Sequence, residues 1–434
     1  RKAITMGLGT ILKAKRIILM AWGEEKATVI KDIVEGEENS ATPATCLQKH
    51  PNIEVVVDEG ASQELTRVKT PWLVGTCLWP ERFIRTAVLW LCRKVDKPIL
   101  KLTYQDYIDN RLGQLLEATG QTYDMINIQV FNDLQHTISG WPGGKPNADD
   151  STRPERATPY PKRVLIFSPH PDDDVISMGG TFIRLIAQGH DVHVAYQTSG
   201  NIAVLDDIVL QTLDTARECG FVDRYNEVQE IINNKKKGEA EPIELRRLKG
   251  SIRRAEAKAA CRQMGLTDPS HVHFLNLPFY ETGGVKKGLL TDKDIQIVVD
   301  LLREIKPHQI YAAGDLSDPH GTHRVCIEAV LAAMEVVQDE EWVKECRLWL
   351  YRGAWQEWDL DMVDMAVPLS PDEVIQKRHA IYRHLSQKDI VPFPGEDKRE
   401  FWQRAEERNQ NTARLYDKLG MAEYQAIEVF VRLF

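Results

Sequence analysis

The segment Ser168-Pro169-His170-Pro171-Asp172-Asp173-Asp174 directly follows an apolar run, Val164-Leu165-Ile166-Phe167, and constrains this chain more than any other stretch. The run has the length and β-branched content of a buried strand, and Gly179-Gly180 then open a helix-like pattern through Ile183, Leu185 and Ile186. The end of a parallel strand borders the crevice in which open α/β sheets bind ligands. A histidine and an aspartate this close can both reach one divalent metal while a neighbouring carboxylate stays free as a base. The arrangement predicts metal-assisted hydrolysis.

From Arg163 onward the alternation continues. Strands are predicted at 163–168, 191–197, 271–276 and 308–313 with helical patterns between them, the signature of an α/β, Rossmann-like parallel sheet. Helices are predicted at 371–385 and 399–419, before an apolar strand at 426–434. The charged stretch 233–249 reads as a solvated loop and helix start in preference to a basic binding patch.

Two earlier regions differ. Residues 1–70 alternate strand-like runs (16–21 and 53–57) with a helical stretch at 24–34, a βαβ-type piece too short to bury both faces of its sheet alone. Within 71–161, Trp72, Trp79 and Trp90 with Leu89, Leu91 and Val95 suggest a packed helical connector. The Gly/Pro/Asn/Asp-rich stretch 140–161 then reads as a linker or extended arm to a domain at 162–434.

A length of 434 residues leaves room for two or three domains. A net charge of -9 argues against nucleic acid or an anionic membrane surface as partner, and no run is long enough to span a bilayer. Seven scattered cysteines without a CxxC pair read as reduced thiols in a cytoplasm. The chain begins at Arg1 and reads as lacking its true N-terminus.

A second constellation follows the strand 309–313: Gly314-Asp315-Leu316-Ser317-Asp318-Pro319-His320-Gly321-Thr322-His323. It too sits where a parallel strand ends, so it can face the first cluster across the same crevice. His170, Asp173 and His323 supply a three-ligand set with an open fourth position, as catalytic Zn2+ needs; another divalent metal is compatible. Asp172 is then the expected general base, and His320 the group that stabilises an oxyanion.

The Pro-His-Pro-Asp-Asp segment with its downstream His-x-x-His resembles the PIG-L/LmbE family of zinc-dependent de-N-acetylases, which act on N-acetylglucosamine-type sugars. Arg253-Arg254-Ala255-Glu256, Phe274-Leu275-Asn276-Leu277-Pro278 and His384-Leu385-Ser386-Gln387 extend the likeness over about 162–390. It implies zinc at His170, Asp173 and His323, Asp172 as base, His320 on the oxyanion and Arg253 on the substrate. Three positions depart from the family pattern. Asp174 replaces the usual Glu, Thr322 replaces an acidic residue (leaving Asp315 or Asp318 to orient His320), and Phe279 replaces a frequent Asp.

The beginning of the chain is similar to a different family. Residues 3–12, Gly23-Glu24-Glu25-Lys26-Ala27, Val34-Glu35-Gly36, Cys46-Leu47-Gln48-Lys49-His50-Pro51 and Asp58-Glu59 resemble the C-terminal third of glucosamine-6-phosphate deaminase. Lys26 matches a phosphate-contacting lysine, while the deaminase's catalytic carboxylates and histidine lie upstream of the match. The two resemblances together imply a fusion working in amino-sugar metabolism on a small-molecule substrate, with a homo-oligomer compatible. Two alternatives stand beside the de-N-acetylase: deaminase activity of the full-length fusion with an accessory C-terminal domain, and a non-catalytic sugar-phosphate-binding protein.

Plainer roles compete at single residues. Lys26 also fits a surface lysine, Arg253 a solvated helix residue and His384 a packed or capping histidine. His50, His136, His190, His193, His271, His273, His308 and His379 show no partner pattern and read as structural. Trp349, Trp355 and Trp358 read as core or interdomain contacts, with a sugar platform open for Trp355.

Overall fold

The computed structural model describes residues 6–149, 151–221, 224–236, 239–284, 286–315, 321–353, 356–388 and 399–434. The chain forms two compact units, Arg1–Val130 and Phe131–Phe434.

In the first unit, β1 (Ile17–Ala21) and β2 (Ile53–Val57) pair in parallel, Ile17 opposite Ile53. The helix Ala27–Glu35 connects them and buries Ala27, Ile30 and Ile33, a spacing of one helical face. Ile18, Met20, Val55 and Val56 stay exposed on this two-stranded sheet. Further along, Trp72 is buried against Trp79, Phe83 and Trp90, with ring centroids 5.4–6.0 Å apart. The helix Glu81–Val95 backs this cluster and buries Ile84, Val88 and Leu91 at i, i+4 and i+7.

The second unit is built on a seven-stranded sheet of order β5-β4-β3-β6-β7-β9-β8. Its strands are β3 (Arg163–Ser168), β4 (Asp191–Tyr196), β5 (Val272–Phe274), β6 (Gln309–Ala313), β7 (Arg347–Tyr351), β8 (Met365–Leu369) and β9 (Ala426–Arg432). Strands β3 to β7 run parallel, and β9 lies antiparallel between β7 and β8. Helices cover both faces, which is why β3 and β6 read as continuous apolar runs. The helices Asp173–Ala187, Ile243–Met264, Pro371–Ile381 and Phe401–Lys418 supply one core, and Asp292–Ile305 and Thr322–Val337 the other.

The chain runs outward from β3 through β4 to β5 and then crosses back to place β6 on the other side of β3. The strand order therefore reverses between β3 and β6, where a crevice opens beyond their carboxyl ends.

Several features differ from the sequence expectation. Strands β7 and β8 were absent from it, and β8 carries Pro368, which an outermost strand tolerates. The charged stretch at 233–249 is not simply solvated. Lys249 is buried 2.7 Å from Asp206 and 2.8 Å from Glu241, and Lys235 pairs with the same two carboxylates. The stretch 140–161 contains no helix or strand among its described residues, yet Pro142, Gly143 and Gly144 are buried and Gln309 donates to the Pro142 carbonyl at 2.9 Å.

The helix Asp173–Ala187 breaks at Met178 (φ -137°, ψ 26°). Glu428 on β9 caps the restarted turn, accepting from the amides of Gly180 at 3.0 Å and Thr181 at 2.7 Å. Lys377 lies 2.7 Å from that carboxylate, and both side chains are buried. A Cβ on Gly180 would come within 2.4 Å of Leu369, so glycine is what lets the broken helix approach β8.

Candidate active site and metal centre

Beyond β3 the chain turns sharply, the Asp172 amide donating to the His170 carbonyl at 2.8 Å. The Asp174 amide donates to Ser168 Oγ at 3.1 Å, locking the start of the helix that begins at Asp173. This turn brings His170, Asp172 and Asp173 to the crevice between β3 and β6. His323, in the first turn of Thr322–Val337, reaches it from the β6 side.

Three donor atoms converge there. His170 Nδ1 lies 3.1 Å from Asp173 Oδ2, His323 Nε2 lies 3.2 Å from the same oxygen, and the two ring nitrogens are 3.3 Å apart. A tetrahedral site with metal–ligand bonds of 2.0–2.1 Å has ligand–ligand edges of about 3.3–3.4 Å. Two imidazoles and one carboxylate thus already stand at the spacing of one face of such a tetrahedron, with the fourth position open. Asp173 Oδ2 also accepts from the His170 amide at 2.8 Å, which fixes its orientation. Burial opposes the charge on Asp173, but the His323 and His170 rings beside it hold its carboxyl well below the usual range.

Asp172 occupies a separate niche. Its Oδ1 lies 3.0 Å from Arg253 Nη2, and both side chains are buried. Arg253 is therefore not a solvated helix residue. Its Nε and Nη1 have no hydrogen-bond partner among the described residues. Glu256, one helical turn on, is 3.8 Å from Arg253 and accepts from the Ser386 amide and hydroxyl at 2.6 and 2.7 Å. This tie draws the 384–387 segment over the site. His384 is buried there, neither ring nitrogen has a partner among the described residues, and burial lowers its pKa to about 4. A cavity beside Asp172 is lined by Ile176, Tyr382, His384 and Trp402. Tyr280, which carried no signal in the sequence, stands edge-on to His170 with ring centroids 6.0 Å apart.

The structure places each of the departing positions. Asp174 points into the protein, accepts from Tyr196 Oη at 3.0 Å, and has its pKa pushed up to about 7 by burial. Phe279 packs in the core on the face covered by Asp292–Ile305. Thr322 is buried at its helix start. Asp315 is buried 3.9 Å from Arg352, in a space that Gly353 leaves open beside His323. Trp349 is a core residue, and Trp358 donates to the Leu350 carbonyl at 3.0 Å. His320, Asp318 and Trp355 lie outside the described residues. Lys26 is exposed at the start of Ala27–Glu35, in the first unit.

Fold and site together define an α/β domain on a mostly parallel sheet, with a His-Asp-His cluster that could hold a metal ion at its topological switch point. Residues 165–334 match the family described as PIG-L: GlcNAc-PI de-N-acetylase, and the chain carries a domain of that family. A glucosamine-6-phosphate deaminase-like protein of Bacteroides thetaiotaomicron is 53% identical over 441 residues, covering 99% of this chain and 66% of that relative. The chain therefore spans just under two thirds of that relative's length. A glucosamine-6-phosphate deaminase of Lactococcus lactis is 52% identical over 67 residues, 15% of this chain and 28% of that enzyme. Among solved structures, N,N'-diacetylchitobiose deacetylase from Pyrococcus horikoshii aligns with 63% of this chain and 84% of its own at 19% identity and a TM-score of 0.40. GalB, the 4-carboxy-2-hydroxymuconate hydratase of Pseudomonas putida, aligns with 63% of this chain and 96% of its own at 18% identity and a TM-score of 0.41. No described helix is long and apolar enough to cross a membrane.

Proposed function

We propose that this chain is a metal-dependent hydrolase that removes the N-acetyl group from an amino sugar of the N-acetylglucosamine type. The observation that carries the reading is the convergence of His170, Asp173 and His323 donor atoms within 3.3 Å, beside the buried, arginine-held Asp172. In this reading His170, Asp173 and His323 hold the cation, Zn2+ fitting the ligand set best. A divalent cation bound there supplies Lewis-acid chemistry, acidifying water and polarising an acyl carbonyl.

Asp172 takes the proton of the attacking water and delivers it to the departing amine. Arg253 keeps that carboxylate in place and carries two further donor nitrogens that suit a sugar hydroxyl or acyl oxygen. His320 has the oxyanion role by family resemblance. We further assign 1–70 to a deaminase-type domain, a reading supported by the deaminase-like relatives, 71–161 to a connector and 162–434 to the de-N-acetylase, with Lys26 on a sugar phosphate and the whole protein in cytoplasmic amino-sugar metabolism. Those same relatives favour one further reading, in which the full-length protein also deaminates glucosamine 6-phosphate.

The test is acetate release from N-acetylglucosamine and its 6-phosphate, with and without Zn2+. Asp172→Asn should lower the rate by about 10²–10⁴-fold while metal binding persists. Unchanged acetate release in that variant sinks the mechanism.

A further inference from the structure

We propose that Asp191, His193 and His271 form a second metal site at the other end of the sheet from the first, taking a first-row divalent cation of the Zn2+, Co2+ or Ni2+ kind. Asp191 and His193 are two residues apart on β4, so their side chains leave the same face of the strand. His271 ends the short turn Pro269–His271 that leads into β5, the outermost strand on this side. His193 Nε2 lies 3.4 Å and His271 Nε2 3.7 Å from Asp191 Oδ1, and the two rings stack with centroids 4.1 Å apart. One donor atom from each residue falls within 4.8 Å of the others.

The remaining ring nitrogens have partners that suit a ligand set. His271 Nδ1 lies 3.2 Å from the Val192 carbonyl, which can only accept, so Nδ1 carries a proton and Nε2 is the nitrogen left to bind a cation beside Asp191. His193 Nδ1 lies 3.1 Å from His273 Nε2. With Nδ1 as donor in that contact, His193 Nε2 also offers its lone pair toward Asp191. Each ligating imidazole is thus oriented through its second nitrogen, as in established metal sites. Asp268, with Oδ2 3.9 Å from His271 Nε2, adds a second carboxylate nearby.

Two imidazoles and a carboxylate, part-exposed, suit a borderline cation that keeps water in its open positions. Ligands from β4 and from the approach to β5 make the ion a clamp between them. Strand β5 pairs through only three residues, Val272 to Phe274, so its attachment to the sheet edge is short.

The full chain carrying His323→Ala, stripped by chelation and titrated with Co2+, isolates this site from the first. One equivalent should still bind, with a visible-range absorption band and a rise in Tm, and His271→Asn added to that background should abolish both. His273→Phe should weaken Co2+ binding by about 10–100-fold, the usual cost of an outer-shell partner. Absence of Co2+ binding in the His323→Ala chain overturns the proposal, as does binding that survives His271→Asn. If His323→Ala does not fold, the otherwise native chain gives the answer: His271→Asn must lower its stoichiometry by one equivalent, and an unchanged stoichiometry overturns the site.

Discussion

Arg253 Nη2 sits 3.0 Å from Asp172 Oδ1, and the guanidinium is almost wholly removed from solvent. Two opposite charges taken out of water together are held by each other, and either one alone is a burden. The pair therefore links the proposed base to the long helix Ile243–Met264.

Arg253→Met should destabilise the domain by about 3–5 kcal/mol, because it strands a buried carboxylate. Arg253→Lys should keep most of the stability yet still lose acetate release, since a single ammonium cannot reproduce the guanidinium fork. Denaturant unfolding and turnover, measured on both variants, separate the two effects. Equal activity in Arg253→Lys and the native chain would argue against a positioning role.

Metal removal should lower thermal stability. A cation at 100 times its Kd stabilises the folded state by about 2.7 kcal/mol, and the part owed to the first site should vanish in His323→Ala. Calorimetry with and without chelator reads this directly; a melting point indifferent to both chelator and Zn2+ counts against any bound ion.

The Lys377–Glu428 pair supports the broken helix from behind. Burial lowers the Lys377 pKa, against the pull of Glu428, and Glu428 also accepts from Gly180 and Thr181. Lys377→Met should cost about 3–5 kcal/mol, while Lys377→Met combined with Glu428→Gln should recover part of that loss because no unpaired charge stays buried. A double variant no more stable than Lys377→Met contradicts the charge-pair explanation.

His190 gives a pH-dependent prediction. Its ring is buried beside Gly143 and Tyr160, accepts the Lys162 amide at 3.1 Å through Nδ1, and has its pKa pushed down to about 4, chiefly by burial. The unfolded chain takes up this proton near pH 6.5 and the folded chain only near 4. The stability due to neutral His190 is thus full above about pH 6.5 and is lost as pH falls toward about 4. His190→Asn should flatten the stability–pH curve across that window; an unchanged slope there removes His190 from the account.

Much of the fold, and the candidate cluster His170, Asp172 and Asp173, could be located in the sequence because a buried parallel strand writes itself as an unbroken apolar run. Val164 to Phe167 is such a run, and the residues after it crowd their chemistry into one turn. Strand β8 was not legible, since Met365-Ala366-Val367-Pro368-Leu369 is short and carries a proline. Buried charges misled for a different reason. Lys249, in the charged stretch 233–249, looks like a surface residue until Asp206 and Glu241 neutralise it, and Lys377 and Glu428 pair in the core across 51 residues. The histidines at 193 and 273 gave no pattern because 80 residues separate them, and only strand pairing makes them neighbours.

The reversal of strand order between β3 and β6 also bears on how the protein is made. His170 and His323 are 153 residues apart in the chain, and their rings meet only once β6 has docked beside β3. Before that crossover closes, the chain has only two of the three proposed ligands together; afterwards it has all three. Under the proposed function, tight metal capture would report that this long-range pairing of the sheet is complete, and a bound ion would secure that closure once it is made.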